Sequence, residues 1–257
     1  MSASKKILCE ETHDGRRLRI VLRGGRGNVI DTEMARALAE ILTERMDGRH
    51  LRCVTLEAEG PNFSFGASVP EHEGVKARPL LESLDRAVAA IVHSGLPVIA
   101  AVRGSCLGGG LELVLPCHRI FAAPDAKLGL PEITLGMFAP AGSALLPERV
   151  SRGLAEEMLL TGRVLGADEA LAAGLVDAVV PDPESSALQW FEENLLNKSA
   201  VALRFATRAA RATMIRRVNT ALLQMETLFL EELVRTRDAN EGVHSFVEKR
   251  RPQWADA

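Results

Sequence analysis

The chain has no tyrosine, and only 4% of its 257 residues are aromatic. Little material is therefore available for stacking nucleic-acid bases. Positive charge is not in excess either: 31 Lys and Arg stand against 34 Asp and Glu, for a net charge of −3. With no dense basic run, no nucleic-acid partner is expected. A long uninterrupted apolar run is also missing. The longest apolar region, residues 96–117, is broken by Arg103, a set of glycines and Glu112, so no membrane span is expected. The first ten residues are polar, with Lys5 and Lys6 and no apolar core, unlike a secretory leader. The expected location is the cytoplasm. The four cysteines, Cys9, Cys53, Cys106 and Cys117, have no metal-ligand spacing. All but Cys9 lie in apolar sequence and read as buried thiols of a reducing compartment. His, Cys, Asp and Glu form no ligand cluster, and no metal is expected.

What is present is ordinary globular material, 47% apolar and 25% charged, enough for one large domain or two modest ones. The first two-thirds alternates strand-like and helix-like stretches. Residues 7–12 and 17–22 read as a hairpin turning at Asp14-Gly15. Asp31 can cap a helix reaching residue 46, where Met34, Leu38, Ile41 and Leu42 share a face. Residues 52–58, 98–102 and 119–123 read as strands, and 80–93 and 109–115 as helices. The expectation is an α/β core at residues 1–183. From residue 144 the pattern turns helical: 151–160, 167–173, 183–196, 200–212, 217–235 and 241–249. A short strand at residues 174–180 interrupts it. Residues 184–257 are expected to form a helical C-terminal region whose apolar face needs a partner surface.

The chemistry concentrates in four places. Gly108, Gly109 and Gly110 stand between the strand at 98–102 and a helix start. Glycine is a poor helix former, but a helix N-terminus leaves free N–H groups that can hold an anion or an oxygen becoming one. Phe63-Ser64-Phe65-Gly66-Ala67-Ser68 offers a second small-residue turn, where the Ala67 N–H can face a cleft. Glu112 and Glu132 are carboxylates in apolar sequence. A carboxylate entering a half-buried site has its pKa raised toward neutrality, which suits acid/base work. Each element has a plainer alternative. The glycines can serve close helix–strand packing, Glu112 can sit on the wet face of a helix, and Glu132 can cap the turn after Pro131. Their joint occurrence within about seventy residues favours a site.

Taken together, these motifs resemble the crotonase (enoyl-CoA hydratase/isomerase) superfamily over essentially the whole chain. The matching pieces are Phe65-Gly66-Ala67-Ser68, residues 98–104, Leu107-Gly108-Gly109-Gly110-Leu111-Glu112 and Leu128-Gly129-Leu130-Pro131-Glu132, with residues 160–163, 167–180 and 246–250. The resemblance implies a crotonase-like spiral of ββα units followed by a C-terminal helical trimerisation region, assembled as a homotrimer or dimer of trimers. It implies an acyl-CoA thioester substrate, with coenzyme A part of that substrate and no separate cofactor. By motif position Ala67 and Gly109 would supply the two oxyanion-hole N–H groups, Glu112 would activate water and Glu132 would exchange the substrate proton. Phe65, Gly66, Ser68, Val69, His72, Leu107, Gly108, Met137, Phe138 and Pro140 would border the substrate. Phe246 and Lys249 match positions that reach toward its adenosine-phosphate end.

The chain also departs from many relatives. Ser68 stands where an acidic residue is common, and Met137-Phe138-Ala139-Pro140 replaces a run of small residues. Residues 64–72 and 117–123 are similar to those of hydratases acting on cyclohexa-1,5-diene-1-carbonyl-CoA, which form a 6-hydroxycyclohexene thioester in anaerobic aromatic breakdown. A generic enoyl-CoA hydratase/isomerase is the alternative within the family. A non-catalytic RNA-binding or scaffold protein is the alternative outside enzymology, but that class would lose a glutamate or gain a basic face. A serine hydrolase built on Ser68 and His72 is disfavoured: Val69-Pro70 opposes a helix there, and no Gly-x-Ser-x-Gly occurs. The glycines fit neither a dinucleotide fingerprint nor a P-loop.

Overall fold

The computed structural model describes residues 5–257; the first four residues of the polar N-terminal segment lie outside it. The hairpin forms from β1 (Ile7–Thr12) and β2 (Arg17–Leu22), paired antiparallel from Ile7 opposite Leu22 to Thr12 opposite Arg17. Its turn is left-handed at His13, Asp14 and Gly15, a conformation that Asn, Asp and Gly tolerate best. Asp31 caps α1 (Thr32–Arg45), its carboxylate accepting from Met34 N at 3.0 Å. Next come β3 (Cys53–Ala58), α2 (Ala77–Val92) and β4 (Val98–Val102), all close to their expected places. A turn further on lie α3 (Gly109–Val114) and β6 (Arg119–Ala122).

The strands form a six-stranded sheet in the order β1-β2-β3-β4-β6-β9, parallel after the hairpin, where β9 is Ala178–Val179. The main core fills one face, where Leu38 of α1, Val88 and Ile91 of α2 and Leu56 of β3 are buried together. A smaller cluster covers the other face, where Phe191 of α7 (Pro183–Asn194) meets Cys53, Ile99 and Ala101. Parallel strands covered on both sides read as continuous apolar runs, as residues 98–102 do. A buried ion pair enters this sheet, between Arg17 of β2 and Glu57 of β3. Glu57 is buried and accepts from Arg17 Nη2 at 2.5 Å and Arg19 Nε at 2.8 Å. All four cysteines are free, three of them buried and Cys9 half-buried.

Three strands escaped the sequence reading: β5 (Ser105–Leu107), β7 (Lys127–Gly129) and β8 (Val164–Gly166) make a second small sheet in the order β5-β7-β8. Each has three residues, too few for a period of two to register. Between them run α4 (Pro140–Leu145) and α5 (Arg152–Thr161), the latter capped by Ser151, and α6 (Ala167–Ala172) follows β8.

The C-terminal region corrects one expectation. In place of helices at 200–212 and 217–235, a single helix α8 runs over Ala200–Thr227. Neither glycine nor proline interrupts it, so nothing stops propagation. It then changes hand-hold: Leu228–Glu232 forms a π-helical turn, followed by a 3₁₀ turn at Leu233–Arg235. Thr236 caps α9 (Arg237–Val247), which starts four residues earlier than expected. Among the described residues no helix is long and apolar enough to cross a membrane.

Candidate active site

The loop bearing Ala67 is fixed from below. Asn28 is buried, and its side-chain amide donates to Glu59 O and Asn62 O, both at 2.9 Å. Ser64 Oγ donates to Asn28 O at 2.8 Å and accepts from Gly66 N at 3.0 Å. Ile30 N donates to Gly66 O and Ser68 N to Ile30 O, each at 2.9 Å. Ala67 is thus held between two bonded neighbours, and among the described residues its own N–H meets no protein acceptor. Asn28 is not legible as the anchor from sequence, because a buried amide leaves no periodic trace.

The glycine run meets this loop. Gly108 takes φ +49° and ψ −127°, which a side chain resists, and its N–H donates to Gly129 O at 2.9 Å. A Cβ on Gly108 would stand 2.6 Å from Glu132 Oε1. One on Gly109 would stand 3.2 Å from Ala67 N, and one on Gly66 3.5 Å from Gly109 N. The two turns therefore face each other with no side chain between them. At Gly110 a Cβ would come within 2.7 Å of Ser64 Cβ. Gly110 thus serves packing, while Gly108 and Gly109 line a cavity.

Glu112 follows one turn into α3. It is only 4% exposed, and its Oε1 accepts from Gly142 N, in α4, at 2.8 Å. Burial pushes its carboxyl pKa up, partly opposed by the Gly142 and Ala141 N–H groups. Glu132 sits in the first turn of a 3₁₀ helix, Pro131–Leu135. The residue is half-buried, but its Oε2 is enclosed and, among the described residues, has no hydrogen-bond partner. Burial raises its pKa, and the negative charge of Glu112 raises it further. Two carboxylates in one low-dielectric pocket do not both ionise readily. Both carboxyls are thereby held above the usual carboxylate range.

Both glutamates line one cavity with Phe65, Gly66, Ala67, Val69 and His72. Gly108, Gly109, Met137, Phe138 and Pro140 complete the set that the sequence had singled out and the structure brings together. Four others lie elsewhere. Ser68 is not among the lining residues; its backbone N–H donates to Ile30 O and its carbonyl accepts from His72 Nδ1. Leu107 lies in β5, contributing its carbonyl beside Gly66. Phe246 is 52% exposed, and Lys249 lies beyond α9 at the exposed end. Neither borders the cavity, and both are open to solvent in this single chain. Residues the sequence did not suggest also line it, including Leu81 and Leu84 of α2, Leu135 and Phe229. The leucines are readable only as helix core. Phe229 sits more than ninety residues from Glu132 in sequence, where no local pattern links them.

His72 is the remaining polar group of the cavity. It ends a short 3₁₀ helix, Val69–His72, and its Nδ1 donates to Ser68 O at 2.9 Å. A carbonyl only accepts, so the proton sits on Nδ1. Burial lowers the imidazole pKa and keeps the ring neutral. A wider groove opens elsewhere, between α2 and α8 near Asp85 and Glu226; it contains neither of the facing turns nor either glutamate.

Two facing backbone turns beside a buried carboxylate pair define a site able to polarise a carbonyl while shuttling protons. This class of architecture has well-marked relatives. The enoyl-CoA hydratase/isomerase family model matches residues 20–257. A cyclohexa-1,5-dienecarbonyl-CoA hydratase of Thauera aromatica is 46% identical over 241 residues, covering 94% of this chain and 93% of that protein. The mitochondrial enoyl-CoA hydratase domain-containing protein 3 of Rattus norvegicus is 27% identical, over 97% of this chain and 85% of its own. The crystal structure of an enoyl-CoA hydratase/isomerase from Pseudoalteromonas atlantica superposes with a TM-score of 0.86 at 28% identity, covering 98% of this chain and all of that one.

The chain belongs to the enoyl-CoA hydratase/isomerase family and has the crotonase fold. It is an enzyme, a hydro-lyase of the acyl-CoA hydratase type.

Proposed function

We propose that the protein hydrates a cyclic conjugated dienoyl-CoA thioester, taking cyclohexa-1,5-diene-1-carbonyl-CoA to its 6-hydroxycyclohex-1-ene product. The enclosure of Glu112 and Glu132 beside the Ala67 and Gly109 N–H groups carries the chemistry. The 46% identity to the Thauera aromatica enzyme supports the acyl group.

In this reading Glu112 is the carboxylate and Glu132 the carboxylic acid when substrate arrives. Water gives a proton to Glu112 as its oxygen bonds to the ring carbon β to the thioester. The displaced electron pair spreads through the thioester, and its oxygen takes up negative charge between the two backbone N–H groups. Losing one such donor typically costs ~10²–10³ in rate. Glu132 then gives its proton to the far end of the diene, and one double bond remains conjugated with the thioester. With a linear enoyl thioester the same proton would go to the α carbon. The proton on Glu112 returns to Glu132, so the sum is water added with no redox change. Coenzyme A arrives with the substrate and leaves with the product.

The surroundings of the reaction follow from the same reading. The protein works in the cytoplasm, in anaerobic breakdown of aromatic acids, as a homotrimer or dimer of trimers built through its C-terminal helices. There Phe205 and Leu223 of α8 are exposed. Sedimentation of the purified protein tests the assembly. The substrate is tested by side-by-side assays with the cyclic dienoyl thioester and crotonyl-CoA. Faster turnover of the cyclic thioester is expected. Faster turnover of crotonyl-CoA would make the protein a general enoyl-CoA hydratase.

A further inference from the structure

Phe229 enters the cavity through an irregularity. Over 28 residues α8 buries only Thr207 and Val218. At the π-helical turn that follows, Phe229 and Leu230 are both buried, Phe229 to 1% exposure. A π turn takes an extra residue into the helical ladder and re-aims the side chains it carries; such turns recur at functional sites. Here it directs Phe229 into a cluster with Ala77 and Leu81 of α2, Met137, and Ala239 and Val243 of α9.

Two further rings meet it. The Phe138 ring lies 5.5 Å from that of Phe229 at 68°, and the His72 ring 6.3 Å away, also at 68°. Both are edge-to-face arrangements, the geometry in which the positive edge of one ring meets the negative face of another. All three rings line the same cavity as Glu112 and Glu132. They come from three separate segments, and the Ser68 carbonyl fixes the orientation of His72.

We infer that Phe229, aimed by the π-helical turn and braced by Phe138 and His72, is a specificity-determining residue that favours a flat cyclic acyl group over a short linear one. This rests on the cyclic dienoyl reading above. A six-membered dienoyl ring presents several more carbons than a crotonyl group, arranged in a plane. Against rigid aromatic edges those carbons are buried without immobilising a flexible chain. A short linear enoyl group reaches the glutamates but leaves part of this surface uncovered.

The test is kcat/KM for the cyclic dienoyl thioester and for crotonyl-CoA, measured on the wild type, Phe229→Ala and Phe229→Leu. The wild type is expected to prefer the cyclic thioester. Phe229→Ala is expected to lower the cyclic-to-linear ratio by roughly 10- to 30-fold, the worth of about two buried methylenes. Phe229→Leu, which keeps most of the apolar volume, is expected to lower it by a smaller factor, and it remains readable if the alanine variant unfolds. Loss of activity by one common factor on both substrates overturns the inference while leaving the substrate reading intact. A wild type that prefers crotonyl-CoA overturns both.

Discussion

Glu112 Oε1 accepts a hydrogen bond from the Gly142 N–H at 2.8 Å, so the carboxylate that enters from α3 is aimed by the backbone of α4. One of its oxygens is thereby committed to the protein. Glu132 is the reverse case: its Oε2 is enclosed without a partner among the described residues. The two acids are alike in sequence context and differ in what holds them.

Replacing either acid with its amide keeps shape and removes the proton chemistry. Glu112→Gln and Glu132→Gln are each expected to lower kcat by ~10²–10⁴, with thioester binding close to wild type by calorimetry. Near-wild-type turnover in either variant would remove the two-carboxylate mechanism.

With Glu112 as base and Glu132 as acid, activity is expected to be bell-shaped in pH. Burial raises both carboxyl pKa values, and Glu112 raises that of Glu132 again. Activity is expected to fall at acid pH as Glu112 becomes protonated, and at alkaline pH as Glu132 loses its proton. A pH profile of kcat/KM checks this; a single limb with no alkaline decline would contradict it.

Gly108→Ala combines a disfavoured φ with a Cβ 2.6 Å from Glu132 Oε1. Expected are a loss of stability of about 1–3 kcal/mol and a fall in kcat well beyond what that loss explains, because Glu132 must move. Denaturant unfolding and steady-state kinetics on the same preparation separate the two.

Much of this site can be read without coordinates. Gly108, Gly109, Glu112 and Glu132 announce themselves because glycines and acids in apolar sequence are locally costly. The cap at Asp31 and the strand at 98–102 follow from near-neighbour chemistry in the same way. What could not be read depends on distant partners. Asn28 matters through carbonyls more than thirty residues on. Gly142 matters through an acid thirty residues back. Phe229 matters through a π turn whose composition is that of any helix. The second sheet was missed because three-residue strands carry no period.

Asp85, on the groove side of α2, provides a test of stability. Among the described residues its Oδ2 is enclosed without a partner. Burial first, then the charges of Glu112, Glu226 and Glu82, raise its pKa from 3.8 to about 8. A raised carboxyl pKa means the folded state binds the proton more tightly than the unfolded one. This contribution to stability is full below about pH 4 and is lost as pH rises toward 8. Asp85→Asn is expected to remove that loss and stabilise the protein at pH 8 by on the order of 1–3 kcal/mol. Thermal melts of both proteins at pH 5 and pH 8 check it; an equal shift at both would refute the titration.

Gly242 lets α9 approach the segment that carries Glu132: a Cβ there would lie 1.8 Å from Leu135 O. Gly242→Ala is expected to lower stability by about 1–3 kcal/mol and to reduce kcat by displacing the 3₁₀ helix. Hydrogen exchange over residues 131–135 should quicken in the variant.

The Glu132 oxygen that lacks a partner among the described residues bears on more than chemistry. That oxygen faces a cavity assembled from segments far apart in the chain, from Phe65 to Phe229. The cavity exists only when those segments are folded together, so whatever fills it favours the folded state by mass action. A bound thioester would act as a staple across the fold as well as a reactant.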